Sequence, residues 1–156
     1  MAQNYGKQFE QKFKEDFLKV ENASLDRLYD VMFGYKAISQ VSDFIGYIYP
    51  NIFYLECKST HGNTFSLEKL TQYDKLLTKV GIKGVRTGVI LWFVDHHKVL
   101  YVPISSIQKM KEDGKKSVNV KMLSENEYFI LEIPSKLRRT FLDSDYSILT
   151  TLTEGQ

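Results

Sequence analysis

The run from Val89 to Val94 is the longest apolar stretch of the chain and reads Val-Ile-Leu-Trp-Phe-Val. A membrane-spanning helix needs roughly 20 such residues, so this run is far too short to cross a bilayer. Its β-branched residues and its length predict a buried strand over residues 86–94. A chain of 156 residues, 43% of them hydrophobic, suits one compact domain with its own core. We therefore expect residues 1–156 to form a single domain.

Helical periodicity marks three further segments. Aromatic and apolar residues recur at helical spacing over residues 5–20, which predicts an amphipathic helix with a narrow aromatic stripe. A second helix is predicted to begin after a Ser66 cap and to end at Gly81. Its apolar face is formed by Leu67, Leu70, Tyr73, Leu77 and Val80. A shorter helix is predicted over residues 105–113, where Gly114 ends it.

Strand character marks four segments besides the buried run. Residues 43–49 and 52–58 are β-type segments on either side of Pro50-Asn51, a pair that favours a turn, and they predict a hairpin. Residues 99–103 are expected to form the second arm of another hairpin, and residues 127–133 alternate as a strand does. This order of elements predicts an α/β fold with a central mixed β-sheet flanked by helices.

Two parts of the chain lack a regular pattern. Residues 30–42, which include Gly34, are expected to be irregular. The tail from about residue 150 is polar and is expected to fray. Residues 25–29 are too short a segment to classify.

Charge and cysteine content bound the class of protein. The 21 Lys and Arg residues nearly balance the 19 Asp and Glu residues, so a nucleic-acid-binding face must be sought in the distribution of charge. The single cysteine, Cys57, cannot form an internal disulfide, and the N-terminus does not have the pattern of a secretory leader. These features predict a cytoplasmic protein, and we expect no contact with a membrane and no organic cofactor.

The residues that can carry chemistry are Asp43 and the triplet Glu56-Cys57-Lys58. Because side chains in a strand alternate between faces, Glu56 and Lys58 point the same way, with Cα atoms about 7 Å apart, and Cys57 points to the other face. Asp43 lies on the other arm of the predicted hairpin. Its carboxylate can therefore converge with that of Glu56.

Two converging carboxylates favour a divalent metal site. Without a cation they would repel each other and one of them would take up a proton, whereas Mg²⁺ and Mn²⁺ prefer oxygen ligands. Gln72 lies at the border of an apolar helix face and can add an amide oxygen or hold a water molecule. Lys58 can orient an attacking water and offset charge on a phosphoryl group. The pattern indicates phosphodiester hydrolysis, and a structural ion pair between Glu56 and Lys58 is the alternative.

The same region resembles a known nuclease signature. The matching segments are Val41–Gly46, Ile52–Thr60, Thr64–Leu67 and Gln72. They resemble the motifs of RecU-type Holliday junction resolvases, a branch of the PD-(D/E)xK nucleases. The match covers about residues 38–77, and weaker similarity occurs around residues 6–10, 101–103 and 114–117. The resemblance implies a restriction-endonuclease-like core.

The resemblance also implies roles for particular residues. Asp43 and Glu56 would be ligands of Mg²⁺, for which Mn²⁺ can substitute, and Gln72 would contribute to the metal site. Lys58 would stabilise the transition state. Glu10 matches an acidic position on the first helix of related resolvases and is a further catalytic candidate.

Branched DNA is the partner that the resemblance implies, in the form of a four-way junction cut in opposed strands by a homodimer with two active sites. Residues 27–41 would supply the family's protruding stalk. Basic residues that can line a phosphate-binding surface are Lys36, Lys75, Lys79, Arg86, Lys115 and Lys116. We expect Trp92 and the aromatic stripe of the first helix to lie in the core.

Two other functions fit the same residues. The first is a PD-(D/E)xK nuclease that acts on a different DNA structure. The second is a catalytically silent DNA-binding module that retains the fold, and the intact set of Asp43, Glu56 and Lys58 argues against it. The leading hypothesis is a metal-dependent endonuclease that resolves Holliday junctions in recombination and repair.

Overall fold

The computed structural model describes residues 4–156. In chain order the strands are β1 (Ser24–Arg27), β2 (Val31–Phe33), β3 (Lys36–Ile38), β4 (Phe44–Ile48), β5 (Asn51–Thr60), β6 (Thr64–Ser66), β7 (Val85–Phe93), β8 (Lys98–Pro103), β9 (Ser117–Asn119), β10 (Leu131–Ile133), β11 (Ser135–Arg138) and β12 (Phe141–Ser144). The α-helices are α1 (Tyr5–Phe17), α2 (Tyr73–Leu77), α3 (Ile104–Glu112) and α4 (Met122–Glu125). Short 3₁₀ helices span Leu67–Lys69, Val94–His96 and Tyr146–Thr151.

Six strands form the central sheet, in the order β1-β4-β5-β7-β8-β10. Strands β5 and β7 are parallel, and every other neighbouring pair in this sheet is antiparallel. A parallel pair needs a crossover connection, and residues 61–84, which carry β6 and α2, provide it. The predicted mixed sheet and both predicted hairpins, β4–β5 and β7–β8, are confirmed.

The central strands are buried because apolar layers cover both faces of the sheet. On β5, Phe53, Leu55 and Cys57 point into the layer formed with α1 and the C-terminal segment. On β7, Val89, Leu91 and Phe93 point into the layer formed with α2 and α3. The apolar run is therefore a strand with both faces covered from Val89 to Phe93, as its sequence predicts, and Val94 begins the following 3₁₀ helix.

The aromatic stripe of α1 packs on the sheet. Asn4 caps the helix by accepting a hydrogen bond from the Lys7 amide at 3.2 Å. Phe9, Phe13 and Phe17 are buried, and the Phe13 ring centroid lies 5.1 Å from that of Phe44. The predicted core role of the stripe and of Trp92 is confirmed. The helix ends at Phe17, short of the predicted residue 20.

A buried charge network fixes α1 to the C-terminal hairpin β11–β12. The Asp16 side chain is 1% exposed and accepts hydrogen bonds from Lys12 Nζ at 2.8 Å and from the Ser144 amide at 2.9 Å. Lys12 Nζ also donates to Asp143 Oδ1 at 2.6 Å. The first helix and the last strand are thereby joined.

The crossover differs from the predicted long helix. Instead of one helix after Ser66, the chain forms the 3₁₀ turn Leu67–Lys69 and the five-residue α2. Ser66 makes no capping hydrogen bond. The Leu67 amide donates to the Lys116 carbonyl and extends the ladder between β6 and β9. The chain leaves helical geometry at Leu70, which adopts φ −88° and ψ 77°, and α2 begins only at Tyr73.

The segment 30–42, predicted to be irregular, contains the hairpin β2–β3. Gly34 lies at its tip with φ +63°, a conformation that glycine adopts without strain. The tail beyond Thr150, expected to fray, is instead held against the body. Leu152 is buried, and the Arg86 guanidinium donates to the backbone carbonyls of Thr153 and Gln156.

Gly88, at the centre of β7, gives a test of this packing. An alanine Cβ there would lie 2.9 Å from Tyr101 Cζ and 3.0 Å from the Val102 carbonyl oxygen. Tyr101 is fully buried. We expect Gly88→Ala to lower the free energy of unfolding by about 1–3 kcal/mol in urea denaturation.

The matched control is Gly6→Ala in the first turn of α1. The nearest atom to its new Cβ is Asn4 Oδ1 at 3.7 Å, an ordinary contact. Alanine favours a helix over glycine by up to about 1 kcal/mol, so this variant is expected to be neutral or slightly stabilised. Equal loss of stability in both variants would contradict the close packing of Gly88.

Candidate active site

Asp43 and Glu56 lie side by side at the start of β4, where β5 is also paired with β7. Phe44 is opposite Leu55 in the register, so Asp43, one residue before β4, lies beside Glu56. Asp43 Oδ2 accepts a hydrogen bond of 2.9 Å from the Cys57 amide. The expected position of Asp43 next to Glu56, across the hairpin, is therefore found.

Glu56 is a buried carboxylate with an unpartnered oxygen. Its side chain is 2% exposed, and Oε1 has no hydrogen-bond partner among the described residues. Burial, and after it the charge of Asp43, raise the pKa of Glu56 from 4.5 to about 8. A buried polar atom without a partner is costly, and a cation at this position would remove the cost.

Lys58 lies beside Glu56, as strand alternation predicts. Lys58 Nζ is 3.8 Å from Glu56 Oε2, at the outer limit of an ion pair, and the Lys58 side chain is 30% exposed. Cys57, between them, is buried in the opposite layer. The lysine therefore reaches from the acidic pair toward solvent.

Arg27 is the residue of the site that the sequence reasoning missed. Its Nη1 lies 3.2 Å from Asp43 Oδ1 and donates to the Asp43 carbonyl at 2.8 Å, while its Nη2 lies 3.2 Å from Glu10 Oε2. The guanidinium carbon also lies 5.2 Å from the ring centroid of Phe44. A planar fork of donors is suited to joining two carboxylates. Arg27 therefore joins α1 to the start of β4.

Glu10 lies on the flank of the α1 stripe, above the acidic pair. Burial raises its pKa, while the charge of Arg27 opposes that shift. Asp43 acts in the same direction as burial and Lys58 in the opposite one, so Glu10 belongs to the same electrostatic cluster. No motif in residues 25–29 indicates Arg27, because β1 is too short to show a periodicity.

Gln72 is half-buried at the N-terminus of α2, and its side chain makes no hydrogen bond to any residue within 4–156. Within the same range, no group of three or more His, Cys, Asp or Glu side chains is arranged to hold a metal ion. The carboxylates available to a cation at this site are those of Asp43 and Glu56. Further ligands would have to be amide oxygens or water.

The basic candidates separate into groups. Lys79 Nζ lies 5.4 Å from the ring centroid of Tyr54, two residues before Glu56 on the same face of β5. Lys115 and Lys116 are exposed at the end of α3, on the side of the sheet that carries α2. Arg86 is engaged elsewhere, because Asn51 and the C-terminal tail occupy its guanidinium.

Lys36 and Lys75 are both associated with the hairpin β2–β3. Lys36 is exposed on β3, next to the tip. Lys75 Nζ donates to the Ser39 carbonyl at 2.6 Å.

Within the described part of the chain, no helix is long and apolar enough to cross a membrane.

The fold is that of restriction-endonuclease-like nucleases. The chain is similar to the Hjc Holliday junction resolvase of the archaeal hyperthermophile Archaeoglobus fulgidus, with a TM-score of 0.53 and 14% sequence identity. The superposition covers 73% of this chain and 88% of the archaeal one. At that identity the likeness establishes the fold, and the predicted fold class is confirmed.

The family is established by sequence. Residues 9–144 match the family RecU, Recombination protein U. No curated protein matches the chain. The chain belongs to the RecU family, and the resemblance to RecU-type Holliday junction resolvases that its motifs indicated is confirmed.

The raised pKa of Glu56 leads to a stability prediction for the metal-free protein. Folding keeps the proton on Glu56 up to a pKa of about 8, while the unfolded chain releases it near the ordinary value of 4.5. Stability must then fall as the pH rises between these values, by at most about 1.4 kcal/mol per pH unit. Urea unfolding in EDTA across this range is expected to show the decline in the wild type and not in Glu56→Gln.

Glu68→Gln is the control, because Glu68 is exposed on the 3₁₀ turn before α2 and its replacement also removes one carboxylate. It should follow the wild-type profile. If Glu56→Gln also follows that profile, Glu56 ionises in the folded protein as easily as in the unfolded chain.

Proposed function

We propose that this RecU-family protein resolves Holliday junctions by metal-dependent phosphodiester hydrolysis, acting as a homodimer with two active sites. The observation that carries the proposal is the pairing of the half-buried Asp43 with the buried Glu56, which has a free carboxylate oxygen and has Lys58 beside it. Such a cluster is costly in an apolar sheet. A decayed nuclease that only bound DNA would have no use for it.

The donor set fits Mg²⁺, with Mn²⁺ as a substitute. Two carboxylates with an unpartnered oxygen suit a hard cation that prefers oxygen ligands and retains several waters. Asp43 and Glu56 would hold the ion, and Gln72 would add its amide oxygen or hold one of the waters. When bound, the ion supplies Lewis-acid polarisation of the phosphate and a lower pKa for a bound water.

The surrounding residues have separate tasks in this proposal. Lys58 places an ammonium group next to the scissile phosphate, where it offsets charge that develops in the transition state. Arg27 positions Asp43 through two hydrogen bonds, one to the carboxylate and one to the backbone carbonyl of Asp43. Glu10 balances the charge of Arg27, so that the guanidinium remains directed at both acids.

The DNA would lie across the face that carries the acidic pair. Lys79, Lys115 and Lys116 would contact phosphates on the α2 and α3 side, where backbone contacts supply most of the affinity. The hairpin β2–β3 projects next to the site and carries Lys36, so we infer that it contacts the branch point. A nuclease of recombination intermediates works where the DNA is, and we infer a cytoplasmic location.

The first experiment compares cleavage and binding of a labelled, mobile four-way junction. Asp43→Asn, Glu56→Gln and Lys58→Ala are each expected to lower the single-turnover cleavage rate by about 10²–10³-fold, because each removes a charge needed in the transition state. The dissociation constant of the junction, measured in Ca²⁺ or EDTA, is expected to change little. Cleavage by the wild type is expected to require Mg²⁺ or Mn²⁺ and to stop in EDTA.

The products and the controls distinguish the alternatives. Paired nicks at symmetric positions in opposed strands indicate a dimer with two sites, and light scattering gives the mass independently. Equal cutting of linear duplex or flaps would favour a nuclease with another substrate. Binding without cutting in every metal would favour the silent module. Lys14→Gln, on the exposed side of α1, serves as the control for loss of one surface charge.

Arg27→Lys tests the bridge between α1 and β4. Lysine keeps the positive charge, but its single ammonium cannot contact Glu10, the Asp43 carboxylate and the Asp43 carbonyl at once. We expect a loss of cleavage rate of about tenfold or more, with an increase in the Mg²⁺ concentration needed for half-maximal rate. An unchanged Mg²⁺ requirement would show that Arg27 does not position Asp43.

A further inference from the structure

The hairpin β2–β3 is not positioned by burial. All six residues of its strands are exposed, and at its tip Phe33 is 77% exposed and Met32 67% exposed. A two-stranded hairpin without a packed face is marginally stable in water. Its orientation must therefore be set by contacts at its base.

The base of the hairpin joins directly to the active site. The strand β1 that leads into it ends at Arg27, and the strand β4 that follows it begins after Asp43. The two legs meet where the Leu28 amide donates to the Asp43 carbonyl at 2.8 Å. A change in the direction of the hairpin would therefore move the hairpin residues relative to Asp43.

Most hydrogen bonds at the base close the hairpin on itself. The Gln40 amide donates to Asp30 Oδ1 at 2.9 Å, and Gln40 Nε2 donates to the Tyr29 carbonyl at 3.0 Å. These bonds join one leg to the other. They do not fix the angle between the hairpin and the rest of the protein.

Besides the contact between the Arg27 guanidinium and the Tyr29 ring, whose centroid lies 5.5 Å from Arg27 Cζ, Lys75 connects the hairpin to the body. Its Nζ donates to the Ser39 carbonyl at 2.6 Å and to Ser39 Oγ at 2.5 Å. Among the described residues, these are the hydrogen bonds that join segment 29–40 to an element outside it. Lys75 belongs to α2, which is anchored in the core by the fully buried Leu76. Just after α2, Lys79 contacts Tyr54 of β5, two residues before Glu56.

We propose that Lys75 is a positioning residue that fixes the hairpin relative to the catalytic pair, and that this bond sets the preference of the enzyme for branched over linear DNA. The inference rests on the proposed function and replaces the sequence-based expectation that Lys75 contacts a phosphate. The path runs from β5 through α2 and Lys75 to Ser39. The reacting groups themselves are untouched.

The test pairs Lys75→Met with the conservative Lys75→Arg. Methionine keeps the stem and removes the donor, whereas arginine can still donate to both Ser39 oxygens. For Lys75→Met we expect the single-turnover rate on a four-way junction to fall by about 10–100-fold, as for a misplaced substrate. The rate on linear duplex is expected to stay unchanged, so that selectivity falls by the same factor, and Lys75→Arg is expected to restore most of it.

Lys69→Met is the matched control, because Lys69 is exposed just before α2 and has no contact with the hairpin. It removes the same charge and is expected to leave selectivity unchanged. A general loss of folding in Lys75→Met would lower both rates together, and a lost phosphate contact would raise the dissociation constants of both DNAs. Either result would overturn the proposal.

A second readout needs no cleavage. Nitroxide labels at Phe33→Cys and Lys14→Cys report the distance from the hairpin tip to α1, and the native Cys57 is buried and does not compete for the label. Without DNA, Lys75→Met is expected to broaden the distance distribution and Lys75→Arg to keep it narrow. An unchanged distribution would overturn the proposal. Failure of the wild type to cut any junction would instead refute the proposed function, while the distance measurement would still decide the role of Lys75.

Discussion

The arrangement of this protein depends on the burial of Glu56 in the middle of its sheet. An ionised carboxylate excluded from water is unfavourable by several kcal/mol unless other groups compensate it. Here the neighbouring strand β4 begins at Phe44, one residue after Asp43, which lies opposite Glu56. Asp43 and Lys58 therefore reach one side of Glu56, while the other strands remain packed. The site is thus a local interruption of an otherwise apolar sheet, and the two apolar layers make the interruption rigid.

The burial of Glu56 also explains why α1 carries the charged residue Glu10 beside its core residues. Phe9 and Phe13 bind the helix to the sheet, and this fixes Glu10 above the point where Arg27 meets Asp43. Arg27 in turn lies on the edge strand β1, which pairs with β4. The acidic pair is therefore held by side chains from three separate parts of the chain, each of them positioned by its own apolar neighbours.

The sequence predicts those parts of the fold in which local pattern and final structure agree. Alternation on β5 places Glu56 and Lys58 on one face, and the apolar run 89–94 predicts a covered strand, because neighbouring residues alone decide both. Long-range pairings are not visible in this way. The ladder between β6 and β9 joins segments far apart in the sequence, and the guanidinium of Arg86 is occupied by carbonyls from the tail.

The site shows the same division. Asp43, Glu56 and Lys58 lie within one hairpin, so that their proximity follows from a turn and a register. Arg27 contacts Glu10 across a loop and belongs to a four-residue strand without a period, and no local signal indicates it. The hairpin β2–β3 was not predicted because its strands have three residues each, too few to show an alternation.

The hydrogen bond from the Ser144 amide of β12 to the Asp16 carboxylate of α1 has a consequence for how the protein folds. Glu10 can occupy its place only when α1 is seated, and α1 is seated against residues that are synthesised near the end of the chain. A truncated polypeptide that contains Glu10, Asp43 and Glu56 but lacks β12 would lose these contacts to its first helix. The position of Glu10 beside Arg27 therefore depends on residues from the opposite end of the chain.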